Sequence, residues 1–272
     1  MSGELLPLSL LFGAVVGLSL GLTGGGGAIF AVPLLVYGLG MLPQEAVGVS
    51  LAAVGATSLV GFLHRWRLGQ VEARTGLLFA AAGMIGAPVG SWIARLLPDA
   101  LLLLLFAGLM VVVAIRLWRQ AAHPAAAESS SDSEGPACRR DAAGALLLTS
   151  RCALLLLIVG LLTGVLSGLF GVGGGFVIVP ALVLFSGMPI QQAVGTSLMV
   201  IALVSISGVT AHLWGGRAIP PLVTLWFVGG GVGGLFAGQR IGRRLSGPAL
   251  QRVFAIAILL VAAYVALRNL CF

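Results

Sequence analysis

The sequence is poor in charged residues. Only 8% of its 272 residues are charged, and lysine is absent, so that all 15 Lys or Arg positions are arginines. A soluble domain carries about 25% charged residues, so these few cannot cover a surface that faces water. The hydrophobic fraction is 59% and the mean hydropathy is +1.12. This composition excludes a cytosolic enzyme and, despite the net charge of +7, a nucleic-acid-binding domain, whose basic residues would form a patch.

Cysteine and catalytic motifs are also scarce. Cys138, Cys152 and Cys271 lack metal-ligand spacing, so we expect incidental thiols rather than a disulfide framework or a zinc site. The sequence shows no nucleophile–base pair, no metal-binding cluster and no Walker-type loop. We therefore predict that the protein is not an enzyme, and we expect no cofactor, no metal and no nucleic-acid partner.

The chain contains an internal repeat at an offset of 147 residues. Gly-Leu-Thr-Gly at 21–24 matches Gly-Leu-Phe-Gly at 168–171, and Ala-Val-Gly-Val-Ser-Leu at 46–51 matches Ala-Val-Gly-Thr-Ser-Leu at 193–198. We predict two copies of one unit, residues 1–118 and 151–272. Residues 119–150 are rich in Ala, Ser and Pro and include an acidic run, a composition that predicts a flexible linker.

Each copy contains three apolar runs of about the length that a helix needs to cross a bilayer, roughly 20 residues. They are 46–63, 75–94 and 100–115 in the first copy and 193–210, 218–239 and 253–267 in the second. Each copy starts with a longer apolar block, 5–44 or 152–191, which a glycine cluster divides into two short spans or a re-entrant pair of half-helices. The predicted fold is an all-α polytopic membrane protein with roughly 8–10 membrane segments.

The arginines predict how the copies face the membrane. They concentrate after residue 63, around the linker and at 240–244, and the positive-inside rule places these regions in the cytoplasm. Both termini are then outside, and the two copies are inverted relative to each other. Inverted repeats are typical of secondary transporters with a substrate site near the midplane. We expect a bacterial inner-membrane protein surrounded by lipid, and a homodimer stays open.

Two glycine clusters are the main candidate for a binding site. Glycine leaves the backbone N–H groups accessible, and a helix that starts after a break directs its positive dipole end at an anion. A break at membrane depth is tolerated only where protein or a water-filled cavity satisfies the backbone. The residues are Gly24, Gly25, Gly26 and Gly27 in the first copy and Gly171, Gly173, Gly174 and Gly175 in the second.

Close helix packing is the alternative role for glycine. We favour it for the glycines at four-residue spacing, because small residues at this spacing let membrane helices approach. These are Gly13, Gly17 and Gly21, Gly86 and Gly90, and Gly230, Gly234 and Gly238.

Polar side chains recur at matching positions of the copies. Ser50, Ser197, Thr196, Gln44 and Gln191 are neutral donors that could bind an oxyanion. The face that begins at Ser50 continues to Thr57 and Ser58, and Ser205 repeats the position of Ser58; ordinary hydrogen bonding between helices is the alternative. For His64 and His212, near the helix ends, we favour anchoring at the interface, with gating or proton transfer as the alternative.

The doubled motif resembles the TauE/SafE family of sulfite and organosulfonate exporters. Each copy has Gly-Leu-x-Gly, a glycine cluster and a proline, Pro33 or Pro180, followed by Gln-x-Ala-Val-Gly-x-Ser-Leu. The resemblance covers nearly the whole chain except the linker. It implies an inner-membrane transporter of sulfur-containing anions such as sulfite, sulfonates or thiosulfate. Val49 stands where the second copy has Thr196, so the copies need not contribute equally to binding.

We therefore predict a secondary transporter in which the two glycine loops meet near the midplane and bind a small sulfur oxyanion. Rocking of one repeat against the other would alternate access. An anion channel and a membrane structural or assembly protein are the alternatives. Bulky residues at Gly26 and Gly173 are expected to abolish transport and leave folding intact.

Overall fold

The computed structural model describes residues 2–122, 150–242 and 247–271, which form ten helices and contain no strand. The predicted all-helical fold is confirmed. Eight of the helices are long and two, α2 and α7, are short. The helices are α1 (Ser2–Thr23), α2 (Gly26–Gly38), α3 (Pro43–Arg67), α4 (Ala73–Leu96), α5 (Asp99–Ala122), α6 (Ser150–Phe170), α7 (Gly175–Ser186), α8 (Ile190–Trp214), α9 (Pro221–Gly242) and α10 (Gly247–Cys271).

Within the described residues, seven helices are long and apolar enough to cross a membrane: α1, α3, α4, α5, α6, α8 and α9. Helices α3 and α8 bury 67% of their apolar windows inside the protein, whereas the other five bury 33% to 50%. Large apolar side chains on the outer helices, such as Ile85, Leu225 and Leu260, are exposed. Such side chains need lipid rather than water around them. The chain is a multi-pass membrane protein with α3 and α8 at its centre.

Each repeat packs its first helix against a helix of the other repeat. Helix α1 packs along α9, and its counterpart α6 packs along α4, which is the counterpart of α9. The same contact is therefore made twice, and each instance joins one repeat to the other.

Glycine makes these two contacts close, as predicted. A Cβ atom on any of the three glycines of α1 at 13, 17 and 21 would overlap the backbone of α9, and the glycines at 160, 164 and 168 have the same relation to α4. The reciprocal glycines at 230, 234 and 238 lie against the α1 backbone, and those at 86 and 90 lie against α6. Each of these sets is therefore a helix-packing set.

The central contact joins α3 and α8, which occupy equivalent positions in the repeats. Gly48 lies against His212, Gly55 against Ser205, and Gly61 against Leu198. Because the residue numbers rise along one helix as they fall along the other, the two helices are antiparallel. A two-fold axis perpendicular to both helices would relate them.

Each leading block is a long helix followed by a short one. In the first block α2 folds back along α1, with Gly27 against Ser19 and Gly38 against Phe12. Each short helix spans about 20 Å at 1.5 Å per residue, which is less than the roughly 30 Å hydrocarbon core. The first block therefore returns toward the side on which it begins.

Two sequence expectations need correction. Helix α5 continues through Ala122 and α6 begins at Ser150, so residues 119–122 are helical rather than part of a flexible linker. The rest of the predicted linker, 123–149, lies outside the described residues. Cys152 takes part in a disulfide, so the expectation of incidental thiols is wrong at this residue.

Candidate functional site

The two glycine loops, residues 24–27 and 171–175, meet inside the protein. A Cβ atom on Gly25 would lie 2.6 Å from the Cα atom of Gly175, and a Cβ atom on Gly175 would lie 2.5 Å from the Cα atom of Gly25. Neither position has room for a side chain. The backbones of the two repeats are therefore in direct contact at this point.

The backbone conformation of the loops requires glycine. Five loop residues have φ angles between 68° and 152°: Gly24, Gly25, Gly171, Gly173 and Gly174. L-residues rarely adopt this region. Gly26 is different, because its φ is not positive and a Cβ atom there would first meet Thr23 Oγ1, at 3.2 Å. Bulky residues at Gly26 and Gly173 were both expected to leave folding intact. The geometry supports that expectation for Gly26 and not for Gly173.

A serine from each repeat holds the loop of the other. Ser50 Oγ on α3 donates a hydrogen bond to the carbonyl oxygen of Gly171, and Ser197 Oγ on α8 donates one to the carbonyl oxygen of Gly24, each at 2.6 Å. A hydroxyl has a single proton to donate. Ser50 uses it on Gly171, and Ser197 has two acceptors for it, the carbonyl oxygens of Gly24 and, at 2.8 Å, of Val194. These cross-repeat serines therefore position the loops, and in this conformation they are not the ligand donors that we expected.

The two short helices begin at the loops. Gly25 precedes α2 and Gly174 precedes α7, and neither of these glycines has a side chain to cap its helix. The Gly27 N–H donates to Thr23 Oγ1, a bracing contact that the sequence reading missed because the second copy has Phe170 at the matching position. The first N–H groups of a helix have no acceptor within it, and they form its positive dipole end. Two such ends lie close together, an arrangement that favours an anion.

The part of the second loop around Gly173 lies at the central depth of the helix pair, whereas Gly24 and Gly171 lie against Val194 and Val47, nearer the starts of α8 and α3. A Cβ atom on Gly173 would be 2.9 Å from Ile201 Cγ2 and 3.3 Å from Val54 Cγ1. Val54 and Ile201 are both buried, and each lies about midway along a 25-residue helix. Since a helix of this length crosses the whole bilayer, the contact lies near the middle of the membrane-spanning region.

Three predicted donors differ in how they are placed relative to the loop contact at Gly25 and Gly175. Thr196 Oγ1 accepts a hydrogen bond from the Glu72 N–H at the start of α4, at 3.0 Å. Gln44 and Gln191 lie in the first turns of α3 and α8, about one turn before Val47 and Val194, which contact Gly171 and Gly24 of the loops. Because these helices are antiparallel, the two glutamines are at opposite ends. The roles expected for these three residues in binding stay a prediction.

The two predicted histidines lie in different surroundings. His212 is 2% exposed, packs on Gly48, and has an Nε2 atom without a hydrogen-bond partner. His64 is half-buried, and its ring meets that of Phe236 edge-on, with centroids 5.5 Å apart. Trp214, which is 92% exposed, suits an interfacial anchor better than either histidine.

A cavity of about 520 Å³ lies away from the loop contact, between α1, α2 and α10. Its lining is almost entirely apolar and includes Phe30, Leu34, Val253 and Phe254. An unpaired anion would lose its hydration there without gaining hydrogen bonds. The cavity is therefore unsuited to an anion, whereas the loops provide backbone N–H groups.

Comparisons with known proteins place this geometry in a family. Residues 9–265 match the family described as "Sulfite exporter TauE/SafE". A "Probable membrane transporter protein" of Xylella fastidiosa (strain 9a5c) is 35% identical over 264 residues, which cover 94% of this chain and 93% of that protein. "Probable membrane transporter protein YunE" of Bacillus subtilis (strain 168) is 27% identical over 260 residues, which cover 92% and 93%. No solved structure matches the chain.

Proposed function

The chain belongs to the sulfite exporter TauE/SafE family, and we propose that it transports a small sulfur-containing anion by alternating access around the two glycine loops. The observation that carries this proposal is the contact of Gly25 with Gly175. It brings together two helix starts, one from each repeat, at the centre of the protein. A membrane transporter of a small anion needs such a site at a depth that both sides can reach in turn.

The chemistry of the loops suits an oxyanion. Backbone N–H groups donate hydrogen bonds, and a helix start adds a partial positive charge of about +0.5. Neither costs the burial of a full charge, so an anion can bind and leave again. Sulfite and the sulfonate group each present three oxygen atoms around one sulfur, and these can accept several such donors together. The same donors would accept thiosulfate.

Alternating access follows from an inverted arrangement of the repeats, which we include in the proposal. The antiparallel packing of α3 on α8 supports it, because equivalent helices of the two repeats run in opposite directions. The arginine distribution then places both termini outside and residues 123–149 in the cytoplasm of a bacterial inner membrane. If the two repeats adopt different conformations and each then takes the conformation of the other, the loops would open first to one side of the membrane and then to the other.

The test uses the purified full-length chain in proteoliposomes, with labelled sulfite, thiosulfate and taurine as probes. We expect saturable uptake and counterflow for at least one probe. Gly26→Val should abolish this transport while the protein stays folded. The control is Gly108→Val on α5, where a Cβ atom would meet nothing within 4 Å.

Three results would contradict the proposal. Flux without saturation or counterflow would indicate a channel. The absence of both transport and binding for every probe would favour a structural or assembly protein. Unchanged transport by the Gly26→Val variant would show that the loops are not the site.

A further inference from the structure

We infer that Ser58 and Ser205 are the side-chain donors that bind the anion, an inference that rests on the proposed function. The two residues occupy the same position in the two repeats, on α3 and α8. Their exposed fractions are 0% and 1%, and neither Oγ atom has a hydrogen-bond partner. Each repeat therefore brings one unused hydroxyl donor into the protein interior.

Two other buried hydroxyls of the described residues are satisfied within their own helices, whereas Ser167 Oγ on α6 is, like Ser58 and Ser205, buried and without a partner. Thr163 Oγ1 has two carbonyl oxygens within reach of its one proton, those of Val159 and Gly160, each at 2.9 Å, and Ser186 Oγ donates to that of Leu182 at 2.5 Å. A hydroxyl in a membrane helix has such a carbonyl within reach. An unsatisfied buried donor destabilises a protein. Ser167 has Leu20 as its counterpart in the first repeat, whereas Ser58 and Ser205 repeat the same unsatisfied hydroxyl in both copies, and this repetition indicates a partner from outside the chain.

The helix register places both hydroxyls one turn from the side chains that contact the second loop. On α3, Ser58 is one turn beyond Val54 and shares its face; on α8, Ser205 has the same relation to Ile201. Val54 and Ile201 both contact Gly173 of the second loop.

The antiparallel pairing brings the two serines to nearly the same depth. A Cβ atom on Gly55 would be 2.5 Å from Ser205 Cβ and 3.2 Å from its Oγ, so Ser205 lies level with Val54. By the same register Ser58 lies level with Ile201. The two hydroxyls therefore flank the level of Gly173, one on each side of the proposed two-fold axis.

This donor set predicts the class of ligand. Two neutral hydroxyls, together with the N–H groups of two helix starts, form a site with donors and without a full charge. A small anion with several oxygen atoms on one centre can accept from both hydroxyls together, as sulfite and a sulfonate group can. An anion with a single acceptor atom would use fewer of these donors. The cross-repeat serines, whose hydroxyls have carbonyl acceptors within the protein, are not part of this set.

The test compares three variants, Ser58→Ala, Ser205→Ala and the double variant, with a control at a satisfied buried hydroxyl, Ser186→Ala. The dissociation constant for sulfite, thiosulfate and taurine is measured on the purified chain, together with the melting temperature without ligand. We expect each single alanine to weaken binding about 10- to 100-fold, because a hydrogen bond to a charged group is lost. The ligand-free melting temperature should stay equal or rise, since an unsatisfied donor has been removed.

The control should show the opposite pattern, with unchanged binding and a lower melting temperature. Ser58→Cys and Ser205→Cys, which keep the volume and weaken the donor, should lose affinity like the alanine variants. Alanine variants that bind within twofold of the wild type, or that only lower the melting temperature, would overturn the inference. If Gly26→Val still abolishes transport, the proposed function survives that result. A wild-type chain that binds no probe would refute both.

Discussion

Ser50 Oγ donates a hydrogen bond to the carbonyl oxygen of Gly171, 2.6 Å away, so a helix of one repeat holds the glycine loop of the other. Ser197 makes the equivalent bond to Gly24. Each loop is thus held by the opposite repeat as well as by the helix that precedes it, to which the N–H groups of Gly24 and Gly171 donate. A movement of one repeat against the other would act on both loops together.

The first prediction concerns the cross-repeat serines. Ser50→Ala leaves the buried carbonyl oxygen of Gly171 without its side-chain donor, which should destabilise the protein by about 1–3 kcal/mol. Thermal unfolding in detergent should show a lower melting temperature for Ser50→Ala and for Ser197→Ala. Ser58→Ala, which removes no hydrogen bond, is the matched control. Equal melting temperatures for Ser50→Ala and the wild type would show that the bond does not stabilise the loop.

The second prediction concerns the loop contact. Gly175→Ala places a Cβ atom 2.5 Å from Gly25 Cα, a distance at which the backbone must move. We expect a marked loss of folded protein, measured as the monodisperse fraction in size-exclusion chromatography. Gly108→Ala provides the control, because its Cβ would enter open space. Similar folded fractions for the two alanine variants would contradict the close approach of the loops.

The third prediction concerns His212. Gly48→Ala would place a Cβ atom onto the imidazole of His212, so we expect overpacking to cost about 1–3 kcal/mol. The second change His212→Ala should remove that clash. A double-mutant cycle on unfolding free energies should therefore give a coupling of roughly 1 kcal/mol or more. Additive effects of the two substitutions would mean that these residues do not share the same space.

The fourth prediction concerns orientation. A green fluorescent protein inserted in residues 123–149 should fluoresce, and an alkaline phosphatase fused after residue 272 should be active. The reason is that the arginine-rich segments beside residues 123–149 stay in the cytoplasm. Both fusions can be measured in whole cells. An inactive phosphatase at the C-terminus, together with an inserted fluorescent protein that does not fluoresce, would show that the orientation is opposite to the proposed one.

Local features of the sequence were enough to predict several parts of the molecule. The apolar runs predicted the spanning helices because a bilayer requires about 20 apolar residues from each. The spacing of Gly13, Gly17 and Gly21 predicted close packing because every fourth residue lies on one helix face. The contiguous glycines predicted the two breaks because their backbone can adopt positive φ angles. Each of these properties depends on residues that are near one another in the chain.

The positions of the polar groups depended on the tertiary structure. The sequence grouped Gln44 with Gln191 as matching residues, but the antiparallel packing of α3 on α8 places them at opposite ends. It also assigned Ser50 to the ligand, although the hydroxyl proton is used on Gly171. A repeat in a sequence shows which residues are equivalent, and it does not show how the symmetry axis separates them.

The sequence by itself determined that this chain is a helical membrane protein built from two copies, with a glycine break in each. Composition and spacing suffice for that, because lipid admits few backbone structures. Only the tertiary structure decided that the two breaks meet, that each serine holds the other repeat's loop, and that Ser58 and Ser205 have unused protons. These outcomes depend on which helices become neighbours. That is decided by packing between residues more than 100 positions apart in the chain.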